Sequence, residues 1–211
     1  MNVLHLINYA GGGGSEKYIE ILKEHLEDIN VSLACNEEGK LSDKFKEEGL
    51  PVYHVEMLRP FDFKAAKKLA KICNDNEIDI IHSHYLRENY ISILSKMFYH
   101  NKAKIVYTCH FNNEDSFIVR MMNKIFYKNL DMIIAISKTV GDTLLKNGSP
   151  EDKIKVIYHG MPDTDKCAPQ KEARDKFGVA DDEFVISCGS RFSPEKGNKF
   201  LIRSIDKLNK K

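Results

Sequence analysis

Short apolar runs rich in β-branched residues recur along the whole chain and alternate with amphipathic segments. The runs are Val3–Ile7, Val31–Ala34, Val52–Val55, Ile78–Ile81, Ile105–Tyr107, Met132–Ala135, Ile154–Ile157 and Phe184–Ser187. Each is a few residues long and nearly continuously apolar, as strands buried on both faces are. Between them, apolar residues recur at helical spacing. Tyr18, Ile21, Leu22 and Leu26 form one such stripe, and Ala66, Leu69, Ala70 and Cys73 another. Ile91, Leu94 and Phe98 form a third, and Val140, Leu144 and Leu145 a fourth. Strand–helix alternation of this kind predicts an α/β fold built on a doubly wound parallel sheet.

The first seven runs fill one complete α/β domain, assigned to residues 1–165. The segment HGMPDTDKCAPQ, near His159 to Gln170, carries loop signals and reads as a linker. Residues 166–211 then hold a helix-like EARDKFG, the strand Phe184–Ser187, a loop and a final helix. That is the first βα unit of a second domain, with no further strands for its sheet. A length of 211 residues accommodates about one and a half domains. The chain is therefore expected to stop inside its second domain, and an activity that needs both domains is not assigned to it alone.

A formal net charge of +1 gives no global field toward nucleic acid or membrane. The basic stretch Lys207 to Lys211 reads as a solvated helix end. The five cysteines, Cys35, Cys73, Cys109, Cys167 and Cys188, are scattered, odd in number and without a C-x-x-C pair. They suit a reducing cytosol and argue against a disulfide framework or a structural zinc site. Met1 leads straight into VLHLI, and no run of about 18 apolar residues follows. A cytoplasmic protein is expected.

The segment NYAGGGGSEKYIEILKEHL follows the first strand directly and opens a helix. Gly12, Gly13 and Gly14 have no side chains to keep a ligand off the backbone, and a helix start offers free N–H groups and a positive dipole end. A phosphate or diphosphate is one occupant. A tight turn capped by Ser15 is the structural alternative. The dinucleotide pattern G-x-G-x-x-G fails, because its third glycine falls at Glu16 or Lys17. The loop ends in Gly-Ser-Glu, not in the Gly-Lys-Ser/Thr of a P-loop. A carboxylate at Glu16 would repel phosphate, and points to a hydroxyl-rich group such as a sugar, or to helix capping.

DIIHSH places His82 and His84 at the end of the fourth strand, and YTCH places His110 at the end of the fifth. Such strand ends face the ligand crevice of open α/β sheets. Two histidines two apart on an extended segment share a face. A metal site is disfavoured, since no acidic or cysteine ligand stands at suitable spacing. Hydrogen bonds to backbone carbonyls and polar contacts with a ligand both remain open. His110 is the best single candidate, because it ends an apolar strand and precedes a polar loop.

Together, GGGGSE, DIIHSH, YTCH, DMIIAISK, VIYHGMP and CGSRFSPEKG resemble motifs of the retaining glycosyltransferases of family 4, which have the GT-B fold. The last is the most specific: a strand, a small loop, then Arg191 and Lys196 ahead of Gly197 and a helix. Two cations flanking a helix start suit a diphosphate leaving group. The resemblance implies two Rossmann-like domains, with the acceptor on the first and the nucleotide-sugar donor on the second. It implies a hexosyltransferase of glycan or glycolipid biosynthesis that needs no metal and no cofactor. Its donor would be a UDP- or GDP-sugar and its acceptor a glycan or a lipid-linked sugar.

By the same resemblance, Gly13, Gly14 and Glu16 lie near the donor phosphate and the acceptor. His110 contacts the transferred sugar, and Arg191 and Lys196 stabilise the departing diphosphate. Ser137, in AISK, is expected to cap a helix. His159 stands where the family usually has asparagine, and Pro162 interrupts the customary run. The family's second-domain pair of glutamates would fall beyond Lys211. A truncated, non-catalytic protein that binds an acceptor or a partner is therefore an alternative, as is a nucleotide-sugar 2-epimerase on the same architecture.

The stretch from Ser116 to Lys128 mixes apolar and basic residues at helical spacing. Phe117, Met121 and Ile125 with Lys124 and Lys128 would let it lie on an anionic bilayer as a peripheral contact. The plainer reading packs this helix on the sheet, with Arg120 and the lysines outward.

Overall fold

The computed structural model describes residues 1–160 and 168–208. Pro162, Cys167, most of the expected linker and the last two lysines lie outside the described residues. The chain divides into two compact units, Met1–Pro162 and Asp163–Lys211.

The first unit is one parallel sheet flanked by helices. Its strands are β1 (Asn2–Tyr9), β2 (Asn30–Glu37), β3 (Val52–His54), β4 (Ile80–Ser83), β5 (Lys104–Cys109), β6 (Met132–Ala135) and β7 (Ile154–Val156). They lie in the order β3-β2-β1-β4-β5-β6-β7. Every neighbouring pair is parallel. The winding reverses beside β1, so the topological switch point falls between β1 and β4. The helices are α1 (Gly14–His25), α2 (Lys40–Glu47), α3 (Phe63–Asp75), α4 (Leu86–Tyr99), α5 (Phe117–Phe126) and α6 (Lys138–Lys146).

Side chains alternate across the sheet and feed two faces. Leu4, Leu6 and Ile81 meet Ala66, Leu69 and Cys73 of α3 and Ile91 and Leu94 of α4 on one face. Ile7, Leu33 and Cys35 meet Ile19 of α1 and Leu41 and Phe45 of α2 on the other. Ile105, Tyr107 and Ile133 pack with Ile93, Val140 and Leu144 in a further cluster. Both faces are covered, which explains why the strands read as continuous apolar runs. Caps set two helix starts as expected of their residue types: Asp62 accepts from the Ala65 N–H at 3.0 Å, and Ser137 from the Val140 N–H at 3.2 Å.

Several local expectations change. The fourth strand starts at Ile80, two residues later than its apolar run, because the Ile78 N–H is taken by the Cys73 carbonyl at the end of α3. Ser15 does not cap α1. The N-cap is Gly13, without a side-chain hydrogen bond. Leu26 falls outside α1 as its C-cap, and the buried side of the helix is Ser15, Glu16, Tyr18, Ile19 and Glu20. An apolar count could not see that three polar residues belong to that side.

The helix α5 and the turn after it keep Lys124 and Lys128 outward, as the plainer reading expects, but α5 turns several apolar residues outward with them. Phe117 is 78% exposed, Ile118 70% and Ile125 62%. Its one buried residue is Asn123. That side chain accepts from the Tyr90 hydroxyl at 2.6 Å and donates to Asp115 at 2.9 Å and to the Asn147 carbonyl at 3.3 Å. This polar clamp and Phe126, which packs on Phe61 and Tyr90, hold the inner side of α5, and much of its remaining apolar surface faces outward.

The second unit holds α7 (Gln170–Phe177), a 3-10 turn at Pro194–Lys196 and α8 (Asn198–Leu208). The expected strand Phe184–Ser187 is not one: no ladder forms there, and Phe184 is 91% exposed. A strand needs a neighbour to satisfy its backbone, and among the described residues this unit supplies none.

Neighbouring leucines on α6 test the packing. Leu144→Ala is expected to lower the unfolding free energy of the first unit by about 3 kcal/mol. Leu145→Ala, at a largely solvent-facing position, is expected to cost under about 1 kcal/mol. Urea unfolding of the two variants gives the comparison.

Candidate functional site

The carboxyl ends of β1 and β4 flank the switch point, and the loops after them carry most of the residues singled out from sequence. The glycine turn links Tyr9 to α1. Its position is fixed by α2, whose Leu41 N–H approaches the carbonyls of Ala10 at 3.0 Å and Gly11 at 3.1 Å. Gly39, just before α2, permits that approach. A Cβ there would sit 2.8 Å from the Ala10 carbonyl oxygen and 3.1 Å from the Gly11 Cα. Gly39 was not recognisable in sequence, because the contact that requires it is long-range.

At Gly13 a Cβ would meet the Glu16 carboxylate at 2.8 Å, whereas Gly14 faces open space. Glu16 is buried and accepts from the Ser15 hydroxyl at 2.7 Å. The same hydroxyl lies 2.5 Å from the Tyr85 hydroxyl, in the loop after β4. The carboxylate thus braces the turn, while the first-turn N–H groups of α1 have no side-chain cap.

Tyr85 also leans on His110, with ring centres 5.9 Å apart, and so joins the glycine turn to the histidines. These form a layer that begins inside the protein. His5 pairs in register with His82 across β1 and β4. His5 Nδ1 lies 3.0 Å from His84 Nε2, and His84 Nδ1 lies 3.2 Å from His110 Nε2. His82 Nε2 lies 2.7 Å from the Thr108 hydroxyl. Tyr18 closes the layer, stacked on His159 at 4.4 Å and edge-on to His82, His84 and His110.

Burial sets the protonation of these rings. It lowers His5 to about 4 and His110 to about 4. It holds His82 and His84 well below the ordinary imidazole value, with neighbouring histidines adding to the effect. His159 is lowered by the same cause. At neutral pH the layer is a set of uncharged donors and acceptors.

His5, His82 and His84 also offer nitrogens within 4.8 Å of one another, near enough to approach one ion. The group has no carboxylate or thiolate, so a bound dication would be buried without a compensating charge. The rings instead bond one another and Thr108, with only His5 Nε2 among their ring nitrogens both buried and without a partner, an arrangement that neither backbone bonding nor direct ligand contact had anticipated. Sequence reading missed His5 and Tyr18. A lone histidine inside the apolar run VLHLI was the available signal for the first.

In the second unit, Asn198 organises the loop that carries the two cations. Its amide donates to the Arg191 carbonyl at 2.7 Å and accepts from the Ser190 hydroxyl at 2.8 Å. Lys196 ends the 3-10 turn, and Gly197 follows at φ +68, a conformation that favours glycine. Both Arg191 and Lys196 are exposed. The structure therefore gathers Gly12, Gly13, Gly14, Glu16, His82, His84 and His110 in the first unit, and Arg191 and Lys196 in the second.

Comparison with known proteins follows the same lines. The family model described as Glycosyltransferase Family 4 matches residues 12–165. An N-acetylgalactosamine-N,N'-diacetylbacillosaminyl-diphospho-undecaprenol 4-alpha-N-acetylgalactosaminyltransferase of Campylobacter jejuni is 27% identical over 150 residues, which is 68% of this chain and 40% of the relative. The structure of Anabaena HepE in complex with UDP and glucose superposes with a TM-score of 0.78 at 21% identity, covering 97% of this chain and 57% of that one. A glycosyltransferase from Rickettsia africae superposes with a TM-score of 0.77 at 25% identity, covering 98% and 57%. The chain thus spans 26% to 40% of the length of the curated relatives it matches.

The buried histidines have a signature in stability. Their folded pKa values lie below the unfolded value of about 6.5. Between that value and about 4 the unfolded chain binds more protons than the folded one. The stabilising contribution is complete above the unfolded value and is lost as pH falls through this window. The urea midpoint is expected to drop on acidification across it, and His5→Phe is expected to flatten the slope.

Proposed function

The chain belongs to glycosyltransferase family 4, and we propose that it forms the acceptor-side part of an enzyme that moves a hexose from a nucleotide-sugar to a glycan or lipid-linked acceptor. The observation that carries this is the meeting of the uncapped glycine turn and His110 on one edge of the sheet, joined through Tyr85. In this reading the α1 N–H groups and Gly12 to Gly14 receive phosphate oxygens, and Glu16 holds the turn in shape. His110 hydrogen-bonds the transferred sugar.

Arg191 and Lys196 would stabilise charge on the diphosphate as the bond from the anomeric carbon to its oxygen breaks and the electron pair leaves with that oxygen. The acceptor oxygen bonds to the same face of that carbon, giving retention, and its proton passes to the departing diphosphate. The positive side chains do the work a metal ion does elsewhere, so a metal-independent reaction is proposed. A UDP- or GDP-sugar is the donor class. Support comes from HepE, solved with UDP and glucose.

The outward apolar side of α5 supports a membrane-borne acceptor in this reading. Phe117, Ile118, Met121 and Ile125 stand exposed beside Lys124 and Lys128. An anionic bilayer matches both the apolar and the cationic parts of that surface. The name of the Campylobacter relative specifies a diphospho-undecaprenol substrate, which favours a lipid-linked acceptor here. No helix among the described residues is long and apolar enough to cross a membrane. A peripheral contact at the cytoplasmic face is proposed on the exposed apolar and cationic residues of α5.

In a protein that carries both domains, His110→Ala and Lys196→Ala are each expected to lower kcat by about a hundredfold. Unchanged turnover in Lys196→Ala would remove the diphosphate role. The chain itself is expected to co-sediment with phosphatidylglycerol vesicles at low salt, less so at high salt, and not at all as Phe117→Ser/Ile125→Ser. If the wild-type chain stays in the supernatant at low salt, the membrane contact is wrong.

A further inference from the structure

We propose that His5 and His84 are positioning residues that lock His110 into a single tautomer, with a bare Nε2 facing inward and an Nδ1–H presented at the sheet edge. The three rings are joined in series, His5 Nδ1 to His84 Nε2 and His84 Nδ1 to His110 Nε2. A neutral imidazole has one donor nitrogen and one acceptor nitrogen. Burial keeps all three rings neutral at pH 7. Two hydrogen bonds in series then admit only two consistent polarities. Either every ring is Nε2–H and the chain points inward, or every ring is Nδ1–H and it points outward.

The blind end of the chain decides between them. His5 Nε2 is buried and has no hydrogen-bond partner. The inward polarity would leave a proton on that nitrogen with no acceptor. The outward polarity leaves only an unused lone pair. Orphaned buried N–H groups are the rarer defect, because a donor deprived of water loses its whole hydration. Free imidazole has a modest preference for the Nε2–H form, which runs the other way and is outweighed here by the orphaned proton.

The consequence is a preset donor. Each ring donates its Nδ1–H to Nε2 of the next, and Nδ1 of His110 is the nitrogen left outside the chain. Its ligand must supply an acceptor oxygen, as a sugar hydroxyl does. The functional meaning rests on His110 facing the transferred sugar, but the tautomer does not. It also gives His84, fully buried behind His110, a role without ligand contact.

The test is a long-range proton–nitrogen correlation spectrum of the 15N-labelled chain at neutral pH. His5, His84 and His110 are expected to show a protonated Nδ1 and a bare Nε2, without averaging. Nitrogen–nitrogen couplings across the hydrogen bonds are expected from His5 Nδ1 to His84 Nε2 and from His84 Nδ1 to His110 Nε2. A bare His110 Nε2 without those couplings would mean packing alone and would overturn the proposal. So would an Nε2–H or averaged His110. One equivalent of Zn2+ is expected to leave all three rings unperturbed, and stoichiometric shifts would replace the hydrogen-bonded chain with a metal site. No donor or acceptor is in the sample, so the outcome is separate from that of the transfer assay.

Discussion

The parallel ladder between β1 and β4 places His5 opposite His82, and the chemistry of the functional edge follows from that register. A slip of β4 by one residue would turn His82 and His84 to the opposite face, among the aliphatic side chains of α3 and α4, and part them from His5. With the register as it is, His82 and His84 share a face with His5, and the line of rings continues to His110 at the end of β5. The same ladder fixes the switch point, so the glycine turn after β1 and the loop after β4 open on one crevice. Tyr85 and Ser15, one from each loop, then meet at hydrogen-bonding distance.

Burying several imidazoles together is acceptable only because they stay neutral and find partners among themselves. Thr108 and Tyr18 complete the layer at its sides. The cost is a dependence on pH that an aliphatic core would not have. The gain is a rigid floor beneath an exposed edge, which is what a binding site needs when its own loops are glycine-rich.

Elsewhere the fold spends polarity on orientation. Asn123 is the buried contact of α5, tied to Tyr90, Asp115 and Asn147. That network and the packing of Phe126 on Phe61 and Tyr90 together fix the rotation of the helix, and Phe117 and Ile125 stay exposed. In the second unit one asparagine again does the organising: Asn198 ties the loop of Arg191 to the start of α8.

The sequence by itself determined the architecture of the first unit. Its seven strands, its doubly wound order of winding and the placement of His110 and the glycine turn at strand ends follow from apolar periodicity and from the rule for open α/β sheets, which are local or nearly local signals. The cap at Ser137 was legible for the same reason. Only the tertiary structure decided which polar residues turn inward. Glu16, Asn123 and the His5–His84–His110 chain depend on partners that are distant in sequence or on the rotation of a helix, and hydropathy assigns such residues to the surface. The need for glycine at position 39 arises where two backbones approach, which leaves no mark on either segment alone. The run Phe184–Ser187 shows the converse: a strand-like sequence has the propensity, but only a neighbouring strand can complete its hydrogen bonds.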